Sequence, residues 1–307
     1  METRRIGILD VSVVGLGCNN FGMTIDADAT KAVVDAAIDA GITYFDTAAR
    51  YGDGESERNL GRALPRGDGI VLGTKFRLAA ADRGRVAAAI EHSLDLSLQR
   101  LGRDHVDLLQ LHNPLAAVDA GDRLAIDIAL EQVAPALEAL RRKGKTRFVG
   151  FSGVGEPAAL HRAVESGLFD TVQVVYNALN PSAGGPMPAG TPGLDYGGLL
   201  DAARARDVGT IVIRALAGGA LSGSAERHPT AMQSVDPIGS APSFADDVAR
   251  AQALAPLARD KGCASLAEYA QRFVIAHPAV STMLIGTATL EQLEVAIAAV
   301  EKGPLPG

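Results

Sequence analysis

The chain has 307 residues, 47% hydrophobic and 21% charged, with a formal net charge of −7. That composition excludes a mainly disordered chain, and the acidic balance without a basic stripe excludes a nucleic-acid footprint. No apolar run approaches the roughly 18 residues of a membrane helix, and at about 150 residues per domain the length alone suggests two domains.

No apolar segment of signal-peptide type precedes Asp10. The first apolar stretches, 6–9 and 11–14, read as a β-hairpin across one end of the fold. Next comes a buried strand over 12–17, then a helix over 29–40 that stops at Gly41. A strand over 43–46 precedes a helix over 55–64, halted by Pro65. A strand over 70–75 precedes a helix over 83–101, where Val86, Ile90, Leu94 and Leu98 repeat every four residues. The strand at 106–112 is followed by a helix at 128–142, and the strand at 146–152 by one at 156–166 opened by Pro157. Strands at 171–176, 210–214 and 282–286 alternate with helices at 199–206, 244–261, 266–276 and 290–301. The strand segments are continuously apolar rather than alternating, as expected when both faces are covered.

Eight strands alternating with helices imply a parallel sheet that can close into a (β/α)8 TIM barrel. No Ser/Pro-rich linker interrupts the series, so 1–307 reads as one barrel domain of roughly 250 residues plus loops. The long irregular stretches 113–127, 177–198 and 215–243 all follow strand C-termini, where barrel active sites lie.

The polar residues at those strand ends define the chemistry. Asp46 ends the second strand, Lys75 the third, His112 the fourth and Ser152 the fifth; Gln173 lies in the sixth, and Tyr51 in the loop after Asp46. Lysine is scarce here beside arginine, so Lys75 within an apolar strand is not casual surface charge. A buried ammonium needs a counter-charge, and Asp46 on the next strand is the natural one. A phenol beside that ammonium should ionise more easily, with a lowered pKa. Tyr51 then suits proton donation to a carbonyl oxygen, with His112 orienting the oxygen or relaying the proton. Such a site has no nucleophile and calls for a hydride from a cofactor.

Several segments, taken together, make the chain resemble the aldo-keto reductase superfamily over nearly its whole length. They include Gly41-Ile42-Thr43-Tyr44-Phe45-Asp46-Thr47-Ala48, Tyr51-Gly52, Thr74-Lys75, Asp107-Leu108-Leu109-Gln110-Leu111-His112, Gly150-Phe151-Ser152 and Gln173-Val174-Val175-Tyr176-Asn177. The resemblance implies a barrel binding NADP or NAD, with catalytic Asp46, Tyr51, Lys75 and His112. It places Ser152 and Gln173 on the nicotinamide carboxamide. The backbone of Arg214, Ala215, Leu216 and Gly218 would lie on the pyrophosphate side, and Gly286, Thr287, Ala288 and Gln292 at the adenosine phosphate. Asn19, Asn20 and Phe21 are candidate substrate contacts. The chain departs from the family in its Gly153, in Ile213 where an aromatic commonly stacks, and in Arg214, which could stack or reach phosphate. Residues 286–289 carry no cation for a 2′-phosphate, and Gln292 stands where some members have Arg, which leaves NAD open beside NADP.

The 153–158 segment matches G-x-G-x-x-G/A, but at the fifth strand rather than opening a Rossmann half. No tyrosine has a lysine four residues on, which excludes short-chain dehydrogenases, and the histidines lack paired ligand spacing, so no metal is expected. Cys18 and Cys263 are distant in sequence; a disulfide framework is not expected and a cytoplasmic address is the default. The functional expectation is an oxidoreductase interconverting aldehydes or ketones with alcohols. An NAD-dependent aldose 1-dehydrogenase is a variant, and a non-catalytic cofactor-sensing subunit is the competing class. No segment marks an oligomeric state.

Overall fold

The computed structural model describes residues 1–6, 9–67, 69–236 and 238–306. Strand β1 (Thr3–Ile6) pairs antiparallel with β2 (Leu9–Ser12). Residues 7 and 8 of the expected hairpin lie outside the described residues. Then come β3 (Val14–Gly17), β4 (Tyr44–Asp46), β5 (Val71–Phe76) and β6 (Val106–Leu111). Two-residue strands β7 (Leu115–Ala116) and β8 (Leu124–Ala125) pair with each other in the loop after β6. The series ends with β9 (Thr146–Gly153), β10 (Thr171–Val175), β11 (Gly209–Ile213) and β12 (Thr282–Gly286).

The eight long-range strands close in the order β3-β4-β5-β6-β9-β10-β11-β12, with β12 returning to β3 and every pairing parallel. Every residue of β5 and β6 is buried, which accounts for their continuous apolarity. Side-chain caps start the outer helices where the sequence supplies them. Asp26 accepts from Ala29 N, Ser243 from Asp246 N, Ser265 from Glu268 N and Thr289 from Gln292 N.

The hairpin plugs the N-terminal end of the barrel, opposite the strand C-termini. Ile6 and Val11 pack there with Tyr44, Val71, Leu108 and Ile211. The expected second hairpin arm and first barrel strand overlap in sequence; the structure divides them at Ser12. Its Oγ accepts from Thr43 N at 2.9 Å and donates to Val14 O at 2.5 Å, ending one pairing before the next begins.

Two helices differ from expectation. The 244–261 segment is two helices, Phe244–Ala253 and Ala255–Asp260, because Pro256 cannot sit in a helix interior but suits a first turn. The helix ending at Arg142 begins earlier, at Ile126, and widens into a π-helical turn over Ala129–Val133. Pro135 has no N–H for the carbonyl of residue 131 and would crowd it; the wider turn makes room.

Candidate active site

Asp46, Lys75 and His112 reach one mouth because the barrel pairing continues beyond the strands. Cys18 N donates to Asp46 O at 2.9 Å, Thr47 N to Gly73 O at 2.9 Å, Ala49 N to Lys75 O at 3.2 Å and His112 N to Phe76 O at 2.8 Å. Tyr51 opens a tight turn, Tyr51–Gly54, that leads into the helix Glu55–Ala63. Gly52 takes φ +57° and presses on the neighbouring loop, where a Cβ would lie 3.1 Å from Gly22 O. Glycine is the residue that meets both demands.

The Lys75 ammonium is almost fully buried and uses all three protons. It donates to Asp46 Oδ2, to Thr47 O at 2.9 Å and to Tyr51 Oη at 3.3 Å. The other Asp46 oxygen, Oδ1, accepts from Tyr44 Oη at 2.9 Å, Gln110 Nε2 at 3.0 Å and Gln173 Nε2 at 2.9 Å. The imidazole of His112 meets the Tyr51 ring edge-on, with centroids 5.9 Å apart.

Burial works against the Lys75 ammonium, but Asp46 and Tyr51 outweigh it and hold Lys75 above its ordinary value. Burial also pushes the Tyr51 phenol up; Lys75 pulls it down and Asp46 adds to the rise, so the net direction is upward. This corrects the expectation of a lowered Tyr51 pKa, which counted the ammonium and omitted desolvation. Burial, then Lys75, Arg77 and Arg50, depress His112 to about 3, so its imidazole is neutral at ordinary pH.

Across the mouth, Ser152 on β9 is in register with Gln173 on β10. Among the described residues, Ser152 Oγ is buried without a hydrogen-bond partner, as is Thr287 Oγ1 beyond β12. Arg214 takes φ +60° just after β11, and among the described residues its guanidinium makes no hydrogen bond or ion pair. It lines a cleft of ≈ 60 Å³ with Gly218, Val235 and Asp236. Ala215 is buried, and Leu216 packs against the cluster of Leu179, Ala220 and Leu221. Ala288 N donates to Gln292 Oε1 at 2.8 Å, and Ala288 O accepts from Thr230 Oγ1 at 2.9 Å, so the loop after β11 reaches the end of β12.

The sequence pattern of the aldo/keto reductase family matches residues 13–306. The chain belongs to that family. L-galactose dehydrogenase from Arabidopsis thaliana is 30% identical over 315 residues, covering 98% of this chain and 88% of that protein. D-threo-aldose 1-dehydrogenase from a Pseudomonas species is 32% identical over 213 residues, covering 59% of this chain and 62% of that protein. In fold, the chain is similar to the holo form of an aldo-keto reductase from Bacillus halodurans, with a TM-score of 0.74 and 24% identity. That likeness covers 100% of this chain and 93% of the other. This aldo-keto reductase is therefore an NAD(P)-dependent oxidoreductase.

The three candidate substrate contacts separate. Asn19 stays at the mouth, its Oδ1 3.3 Å from where a Cβ on Gly286 would lie. Asn20 is buried and donates to Thr287 O at 2.8 Å, tying the β3 loop to the β12 loop. Phe21 is 1% exposed and belongs to the main core, a correction: its ring is more favourably placed among apolar side chains than at the mouth. Cys18 is also fully buried, and burial pushes its thiol up. The 153–158 glycines serve packing. A Cβ on Gly153 would lie 2.2 Å from Gln173 O, and one on Gly155 would lie 2.0 Å from Leu115 O. Among the described residues no cluster of three His, Cys, Asp or Glu side chains could hold a metal.

Sequence reasoning missed Tyr44 and Gln110 as site residues. The available signal was period two. Tyr44 lies two before Asp46 and Gln110 two before His112, so each shares the inward face of its strand.

Proposed function

We propose that Tyr51 is the general acid/base of a reaction interconverting a small aldehyde or ketone with its alcohol. The observation that carries this reading is the Lys75 ammonium bridging Asp46 and Tyr51 Oη. A bound nicotinamide dinucleotide supplies or takes up the hydride. Ser152 and Gln173 fit its carboxamide, since a buried hydroxyl without a partner beside an amide is a site for a group that both donates and accepts. Tyr51 holds its proton at neutral pH and gives it to the oxygen of the reduced carbonyl. Lys75 stabilises the phenolate left behind, and neutral His112 orients the oxygen by hydrogen bonding. Asp46 keeps Lys75 charged. Tyr51→Phe should leave cofactor affinity intact and lower kcat by about 10²–10⁴; near-normal turnover would remove Tyr51 from this role.

A finer reading is NAD-dependent oxidation of the anomeric hydroxyl of an aldose. It is supported by the two sugar dehydrogenases among the relatives and by the cation-free segment 286–289. Assaying aldoses with NAD against aldehydes with NADPH separates the two directions. The competing reading, a cofactor-sensing subunit, requires tight cofactor binding with no turnover on either panel. The working unit is taken to be one barrel over residues 1–307. The two free, buried thiols, Cys18 and Cys263, fit a reducing cytoplasmic setting.

A further inference from the structure

Gln110 is a polar residue in the apolar strand β6, fully buried and in register with Lys75. Its Nε2 donates to Asp46 Oδ1, while its Oε1 has no partner among the described residues. A buried amide with an unpaired oxygen weakens a fold, and a leucine would fill the barrel without that cost. Flipping the amide gives no relief, because it would turn the oxygen toward the carboxylate.

Tyr44 meets the same oxygen from β4. Its ring occupies a slot left by two glycines on the flanking strands. A Cβ on Gly73 would lie 2.7 Å from Tyr44 Oη, and one on Gly15 would lie 2.7 Å from its Cδ1. Phenylalanine would fill that slot equally well, so the hydroxyl is what the site uses. Burial, reinforced by Asp46, pushes the phenol well above its ordinary range, so it remains a donor.

Both donors are neutral. A second cation on Oδ1 would compete with Lys75 for the carboxylate, whereas a phenol and an amide orient it without adding charge. We propose that Tyr44 and Gln110 are positioning residues that pin Asp46 Oδ1, so that Oδ2 faces Lys75 and Lys75 stays on Tyr51. The proposal rests on Tyr51 being the acid/base.

The test uses the full chain as Tyr44→Phe and Gln110→Leu, with Tyr51→Phe in parallel. Each positioning variant should lose roughly tenfold in kcat, the effect of one charge-assisted hydrogen bond, while cofactor affinity holds. The limb of the kcat profile set by Tyr51 should move to higher pH, because a loosened Lys75 no longer pulls the phenol down. Gln110→Leu should keep or raise the thermal midpoint while losing activity. Unchanged kcat and pH profile in both variants would overturn the proposal, as would activity in Gln110→Leu falling only in step with stability. If Tyr51→Phe remains active, the acid assignment fails and this proposal with it. If Tyr51→Phe is inactive while both variants behave as wild type, only the positioning role fails.

Discussion

Tyr51 and His112 are shifted in opposite directions and should act differently on pH behaviour. The Tyr51 phenol is held above its ordinary value, so it stays protonated through neutral pH. Carbonyl reduction should be flat there and decline only above about pH 10, while alcohol oxidation should rise with pH as the phenolate becomes accessible. Steady-state kcat against pH in both directions checks this; a reduction profile falling through the ordinary histidine range would contradict it. His112, at about 3, should contribute no kinetic inflection near its ordinary value of 6.5. It does bear on stability. The unfolded chain takes up the His112 proton first as pH falls below 6.5, so this histidine lowers stability progressively down to about pH 3. Urea midpoints should fall less steeply with acidification in His112→Asn than in wild type.

At the scale of elements, the site depends on close approach between strands and on a buried ion pair behind them. Gly73→Ala would drive a methyl into Tyr44 Oη. The expected cost is about 1–3 kcal/mol by denaturant unfolding, with activity falling beyond the share explained by stability. Glu57, fully buried on the helix Glu55–Ala63, accepts from Thr74 Oγ1 at 2.6 Å and pairs with Arg100. Thr74 precedes Lys75, so this pair anchors the strand bearing the ammonium. Arg100→Met leaves the carboxylate buried without its cation and should destabilise by about 3 kcal/mol, again read by denaturant unfolding.

At the scale of the whole molecule, the barrel separates stability from chemistry. The hairpin closes the N-terminal end, and the long loops surround the other end. The loop after β11 reaches the end of β12, where Thr230 Oγ1 donates to Ala288 O at 2.9 Å. Arg227, in the loop after β11, is already committed: it donates to Gly218 O at 2.8 Å and Met232 O at 3.2 Å and stacks over Phe244 at 4.1 Å. With no cation among residues 286–289, NAD should bind at least about tenfold more tightly than NADP by calorimetry. Gln292→Arg should narrow that gap. Equal or tighter NADP binding by the wild type would contradict the NAD reading.

The linear chain by itself determined the alternation of buried strands and helices, and it singled out Asp46, Tyr51, Lys75 and His112, which the structure brings together at one end of the barrel. Apolar runs, breakers and strand ends are local features, and residue types at strand ends can be read without knowing what they touch. Only the tertiary structure decided that Tyr44, Gln110 and Gln173 share one Asp46 oxygen, since they come from three strands brought together by barrel closure. It likewise decided the upward direction of the Tyr51 pKa and the burial of Phe21. Desolvation and register arise from packing between distant segments, and no local pattern carries them.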